Sequence, residues 1–177
     1  MIIQFTGLSG AGKSSLAQQL RQIGQADSEI VIVDGDAYRQ TLCRDLGFSK
    51  EDRMENIRRL GAEAARLDAT GKIIIIAAIN PFNSVRKELE EKYNAITVWI
   101  RCDIPTLVER DTKGLYRRAL LPEDHPEKLH NLTGINDPYE SPESAHLILD
   151  THLQSLEESA QALYHFLLDK RQASSAS

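Results

Sequence analysis

The sequence predicts a doubly wound α/β domain, a parallel sheet with helices on both faces, from three observations. Apolar β-branched runs alternate with amphipathic helical patterns, a glycine-rich turn joins the first run to the first helix, and polar residues close each run. Ile2 to Thr6 is the first strand and ends in Gly7; Leu16, Leu20 and Ile23 then recur at helical spacing until Gly24, which ends the helix. Ile30 to Val33 is the second strand and stops at Asp34. Ser49 and Asp52 have capping-box spacing, and Ile57, Leu60, Ala64 and Leu67 carry one apolar face on towards Gly71. Ile73 to Ile79 is the third strand, stopping at Asn80-Pro81; Ala95 to Ile100 is the fourth and His146 to Leu149 a weaker fifth. Leu153, Leu156, Ala160, Leu163 and Leu167 give the last helix its stripe. Between Thr112 and Tyr139 the chain is polar, with two glycines and three prolines and no sustained period, as expected of a lid or binding loop at about 112–140. One domain over 1–170 and a flexible tail over 171–177 are the expected organisation.

Composition sets the outer limits. With 177 residues and 41% apolar content, one full core can form without disulfides. Lys plus Arg number 21 against 26 Asp plus Glu, a net charge of −5, which disfavours a broad nucleic-acid-binding face. Cys43 and Cys102 lie far apart without a C-x-x-C partner and read as packing residues, and the five histidines lack metal-ligand spacing. The first residues carry neither a basic n-region nor an apolar h-region, and the longest apolar run, Ile73 to Ile79, falls far short of the ~20 residues that cross a bilayer. The expectation is a cytoplasmic protein with no membrane partner.

In such sheets ligands sit beyond the carboxyl ends of the strands. There the chain reads Gly7, Leu8, Ser9, Gly10, Ala11, Gly12, Lys13, Ser14 and then Ser15, a full G-x-x-x-x-G-K-S phosphate-binding loop after a strand and opening a helix. Its backbone N–H groups can converge on phosphate oxygens, Lys13 can reach the β- and γ-phosphates of ATP, and Ser14 can hold Mg²⁺. Asp34-Gly35-Asp36 closes the second strand. Asp36 is a candidate general base for a hydroxyl acceptor, with Mg²⁺ organisation, alongside Ser14, as the alternative role; both aspartates could also cap the next helix. Arg39, Arg53, Arg58 and Arg59 follow, an unusual supply of guanidinium groups in an acidic chain, and imply an anionic acceptor, although Arg58 and Arg59 fit a solvated face equally well. Phe48 offers either a core contact or a stacking face for a base.

Taken together, these residues resemble the adenylylsulfate kinase family. The resemblance rests on the loop from Gly7 to Ser14, Asp34-Gly35-Asp36, Asp45-Leu46-Gly47-Phe48-Ser49, Asp52-Arg53 with Glu55-Asn56-Ile57-Arg58-Arg59, Lys113-Gly114-Leu115-Tyr116, and Thr133-Gly134-Ile135 with Asp137-Pro138-Tyr139-Glu140. It implies a P-loop NTPase fold and ATP-dependent phosphorylation of adenosine 5′-phosphosulfate on its 3′-hydroxyl, giving 3′-phosphoadenylyl sulfate and ADP in sulfate assimilation. By the resemblance Asp36 is the catalytic carboxylate and Lys13 serves the phosphates. Asp34, Arg39, Phe48, Arg53, Asn56, Ile79, Lys113 and Leu132 line the acceptor, and 113–139 closes as a lid; a homodimer is left open. Two positions depart from the family pattern. Asn80 stands where the family usually has the serine described as a phosphorylated intermediate, and Leu132 stands where a phenylalanine commonly faces the substrate adenine. The alternatives are a related kinase for another anionic acceptor and a nucleotide-binding module that switches without turnover.

Overall fold

Five apolar runs become five parallel strands in the computed structural model, which describes residues 1–23 and 30–175. They are β1 (Ile2–Thr6), β2 (Ile30–Asp34), β3 (Ile73–Ala77), β4 (Ile96–Arg101) and β5 (Leu147–Asp150), in the order β2-β3-β1-β4-β5. β1 pairs with β3 from Ile2 opposite Ile74 and with β4 from Ile3 opposite Ile96. Chain connections leave β1 in one direction and return on its other side, so the crevice expected at a strand-order reversal opens above its carboxyl end.

Strand pleat divides the core in two. Ile3, Phe5 and Ile75 face α1 (Lys13–Ile23) and α7 (Leu156–Ser175), while Ile2, Ile74 and Ile76 face α3 (Lys50–Asp68) and α4 (Asn83–Tyr93). Ile3, Ile74, Ile75 and Ile76 are wholly buried, each a contribution of about 1.5–3 kcal/mol, which explains why these strands read as continuous apolar runs rather than alternating ones. Ser49 caps α3, accepting from the Asp52 N–H at 3.0 Å as its spacing predicts. Gly24, expected to end α1, lies outside the described residues.

Several expectations need correction. β3 stops at Ala77, and Ile79 and Asn80 belong to the turn beyond it. Leu153 is 76% exposed and precedes α7, because Gln154 and Leu153 both donate to the Asp150 carbonyl in a turn and Ser155 and Glu158 then form a reciprocal cap. The buried stripe of α7 is Ala160, Leu163 and Leu167. That helix runs on through 171–175, expected to fray, since Gln172 and Ala173 are good helix formers and no glycine or proline intervenes; 176 and 177 lie outside the described residues. The 112–140 segment is not wholly irregular: it contains α6 (Leu115–Ala119), too short to reveal a period. Also unforeseen are α2 (Gly35–Tyr38), one turn capped by Asp34, and α5 (Ile104–Arg110), capped by Asp103. Among the described residues no helix is long and apolar enough to cross a membrane.

Candidate active site

The glycine-rich loop leaves β1 where Gly7 passes so close to β4 that a Cβ would lie 2.4 Å from the Ile100 carbonyl oxygen. Gly12, at φ +99°, takes a left-handed turn into α1 that a side chain would resist. The loop closes over Lys13, whose Nζ donates to the carbonyls of Gly7 at 2.9 Å and Leu8 at 2.7 Å. Burial in that backbone shell pushes the ammonium down to about 8, although the charge of Asp36 opposes the shift. Tyr116, buried in the 112–140 segment, donates its hydroxyl to the Ser9 carbonyl at 2.7 Å and braces the loop from outside.

The carboxylates at the end of β2 divide their work differently from the sequence expectation. Asp34 accepts from Ser14 Oγ at 2.6 Å with one oxygen and from the Asp36 and Ala37 amides with the other. Asp36, expected beside Ser14 as a metal donor, instead turns to the ammonium of Lys113 at 2.5 Å, both side chains being exposed. Its carboxylate is committed neither to the helix cap nor to Ser14. The Ser14 hydroxyl and Asp34 carboxylate form a hard oxygen pair beside Lys13, a donor set that fits Mg²⁺ next to nucleotide phosphates.

Across a cavity of about 580 Å³ stands a cationic and aromatic wall. The Arg39 guanidinium lies 4.6 Å from the Phe48 ring centroid and that of Arg53 lies 5.5 Å from it, which explains how a phenylalanine remains 54% exposed. Arg53 is only 8% exposed; it donates to Phe48 O, Thr133 Oγ1, Asn131 O and the Asp137 carboxylate at 2.7–2.9 Å. Asn56 and Asn80, both buried, line the same cavity, and each has a side-chain oxygen without a partner among the described residues. Ile79, Lys113 and Leu132 complete the expected wall, whereas Gly7, Leu8, Ala11 and Asp34 stand behind it. Arg58 and Arg59 are not part of it: they pair with Glu88 and with Asp45 and Glu55 on the outer faces of α3.

Sequence reasoning missed a second cavity, of about 410 Å³, at the ends of β4 and β5 between Arg101, Asp103, Asp150 and His152. Thr151 joins it to the loop by donating to the Ala11 carbonyl at 2.9 Å. Its signal was present, since Asp103 and Asp150 each close an apolar run, but no motif marks it. Arg86 was also missed, and Tyr116 and Tyr139, which the resemblance includes, were given no role; all three are polar groups whose partners lie far away in sequence.

A loop that can cradle phosphates, the Asp36 carboxylate paired with Lys113, and a wall suited to an anionic base-containing acceptor thus meet in one crevice. A family model described as Adenylylsulphate kinase matches residues 1–150. An adenylyl-sulfate kinase of Acaryochloris marina is 41% identical over 173 residues, covering 96% of this chain and 82% of its own length. A probable bifunctional SAT/APS kinase of Sorangium cellulosum is 45% identical over 160 residues, and the chain spans only 27% of its length. Among solved structures, the APS kinase of Mycobacterium tuberculosis in complex with AMPPNP and APS superposes with a TM-score of 0.83 at 34% identity, covering 94% of this chain and 96% of that one.

Proposed function

The chain belongs to the adenylylsulphate kinase family, and from that premise we propose that it transfers the γ-phosphoryl group of ATP to the 3′-hydroxyl of adenosine 5′-phosphosulfate. The observation that carries the reading is the placement of Asp36 between Lys13 of the loop and the wall of Arg39, Phe48 and Arg53. The acceptor's adenine stacks on Phe48, Arg39 and Arg53 hold its phosphosulfate, and Asn56 adds a polar contact. Arg53 is fixed before substrate arrives by its four oxygen partners, so little ordering remains when it binds.

The loop amides and Lys13 receive the ATP phosphates, and the cavity between Arg101 and His152 accommodates the donor's base. Ser14 and Asp34 would hold Mg²⁺, which when bound neutralises charge between the β- and γ-phosphates. Asp36 takes the proton of the 3′-hydroxyl as its oxygen forms the bond to the γ-phosphorus and the bond to the β-phosphate oxygen breaks, releasing ADP. Lys113 must first let go of Asp36, and the phosphosulfate or the transferring phosphate offers it a stronger anionic partner. Closure of 112–140 as a lid excludes water that would otherwise hydrolyse ATP. The reading carries with it one kinase unit over 1–170 and a cytoplasmic location.

Leu132 in place of an aromatic residue and Asn80 in place of the usual serine are the two observations favouring a different acceptor. Coupled ADP release with a panel of anionic acceptors separates the readings. Release that depends on adenosine 5′-phosphosulfate is expected, and its absence alongside turnover of another anion would replace this acceptor.

A further inference from the structure

Arg86, in the second turn of α4, is 3% exposed, yet its guanidinium directs four hydrogen bonds to neutral oxygens. The two terminal nitrogens divide between two parts of the molecule. Nη1 donates to the Asn80 carbonyl at 2.5 Å and to Thr6 Oγ1 at 3.3 Å, at the carboxyl ends of β3 and β1. Nη2 donates to the Glu140 carbonyl at 2.6 Å and to Asn83 Oδ1 at 2.5 Å, where the 112–140 segment rejoins the body.

The same junction is fastened around this fork. The Glu140 carboxylate accepts from the Asn83 amide at 2.6 Å, capping an α4 whose own N-cap, Phe82, has no side-chain hydrogen bond to give. The Glu140 amide donates to Pro81 O at 2.9 Å, and Tyr139 OH meets Thr6 Oγ1 at 2.9 Å. Two residues upstream of Tyr139, across Pro138, the Asp137 carboxylate holds Arg53. Arg53 is thus oriented by a segment whose end is held by Arg86. Burying a guanidinium among carbonyls is unfavourable unless its fork geometry is needed, and here one planar group spans two chain segments that no single lysine could bridge.

Resting on the function proposed above, we infer that Arg86 is a positioning residue: it clasps the far end of the 112–140 segment to the sheet and thereby sets Arg53 for the acceptor. Since the clasp acts through Asp137 on Arg53, its loss should weigh more on the acceptor than on ATP.

The test compares Arg86→Met, Arg86→Lys and Tyr139→Phe with the unmodified protein in two independent readouts. The first is amide hydrogen exchange over 131–140, which needs no acceptor. The second is the KM for adenosine 5′-phosphosulfate against the Kd for a non-hydrolysable ATP analogue. Arg86→Met should exchange faster over 131–140 but not in β1 or β4, and should raise the acceptor KM by about tenfold while the analogue Kd moves less than about twofold. Lysine should not rescue it. Tyr139→Phe, which keeps the ring, should show the same pattern more weakly, and it carries the test should Arg86→Met fail to fold. Unchanged exchange over 131–140, or equal weakening of acceptor and analogue, would overturn the inference. Failure of the unmodified protein to use adenosine 5′-phosphosulfate would refute the proposed acceptor, while the exchange pattern would still decide whether the clasp exists.

Discussion

The two walls of the crevice are made in opposite ways. On the loop side, the partners of Lys13 lie five and six residues earlier in the chain, at Leu8 and Gly7, and Ser14 reaches an aspartate 20 residues away. On the opposite wall Arg53 finds three of its four partners 78 to 84 residues away, across two strands and the 112–140 segment. A phosphate cradle is therefore formed wherever β1 and α1 fold together, whereas the acceptor wall exists only once a long connection has settled against the sheet. The first half is pre-organised by backbone; the second is ordered by side chains and by closure, which is where specificity and its alteration reside.

Substitutions should separate the two halves, and the largest effect belongs to the loop. Lys13→Ala should lower turnover by about 10³-fold or more, since Lys13 is the one cationic side chain in the loop from Gly7 to Ser15. Steady-state ADP release measures it, and near-normal turnover would remove the loop from the mechanism. Asp36→Asn should keep ATP affinity and lower kcat by about 10²–10³-fold, because the amide is nearly isosteric but cannot take a proton. A preserved kcat with an altered Mg²⁺ requirement would make Asp36 a metal organiser instead.

A pH titration sharpens the contrast. Burial holds the free Lys13 ammonium near 8, with Asp36 and Asp34 opposing that shift and Lys113 adding to it. Only the protonated form attracts phosphate, and bound phosphate raises its pKa. ATP affinity should therefore be level below about 8 and fall by about tenfold per unit above it, while Lys13→Arg, which stays charged, should flatten the curve. Calorimetric Kd values across that range give the result; a level curve for the unmodified protein would contradict it. The smallest effect is expected opposite. Leu132→Phe, at a buried position that still borders the cavity, should tighten the acceptor by about fivefold and leave ATP binding unchanged, since aromatic stacking exceeds aliphatic contact at a base. An unchanged acceptor Kd would place residue 132 outside the base's reach.

The contrast also explains what the sequence revealed. Strands buried on both faces announce themselves by composition, and the loop by local spacing, so five strands, their parallel direction and the residues from Gly7 to Ser15 were legible. Arg39, Phe48 and Arg53 were named because they cluster within one stretch. The pairing of Asp34 with Ser14, and of Asp36 with Lys113, was not legible, because two aspartates separated by one glycine look alike until the chain turns. Leu153 was misread because helical spacing continues across a turn that only the Ser155 and Glu158 cap exposes. Arg86 carried no signal at all, and Tyr139 was marked by the resemblance without a role, since a buried polar group is defined by partners that only tertiary structure supplies.

If the two walls meet around both nucleotides, the phosphoryl group passes between them in one step. A covalent relay would need a nucleophile at the end of β3. Asn80 has none; it is 1% exposed, and its amide donates to Gln4 at 2.9 Å beneath the sheet end. Ser84 lies on the exposed side of α4, beyond the turn. Intact-protein mass spectrometry after incubation with Mg²⁺ and ATP, without acceptor, decides the matter. Direct transfer predicts an unchanged protein mass, whereas a stoichiometric added phosphate, mapping to Ser84 or Ser9, would contradict it and show that another residue has taken the place of the missing serine.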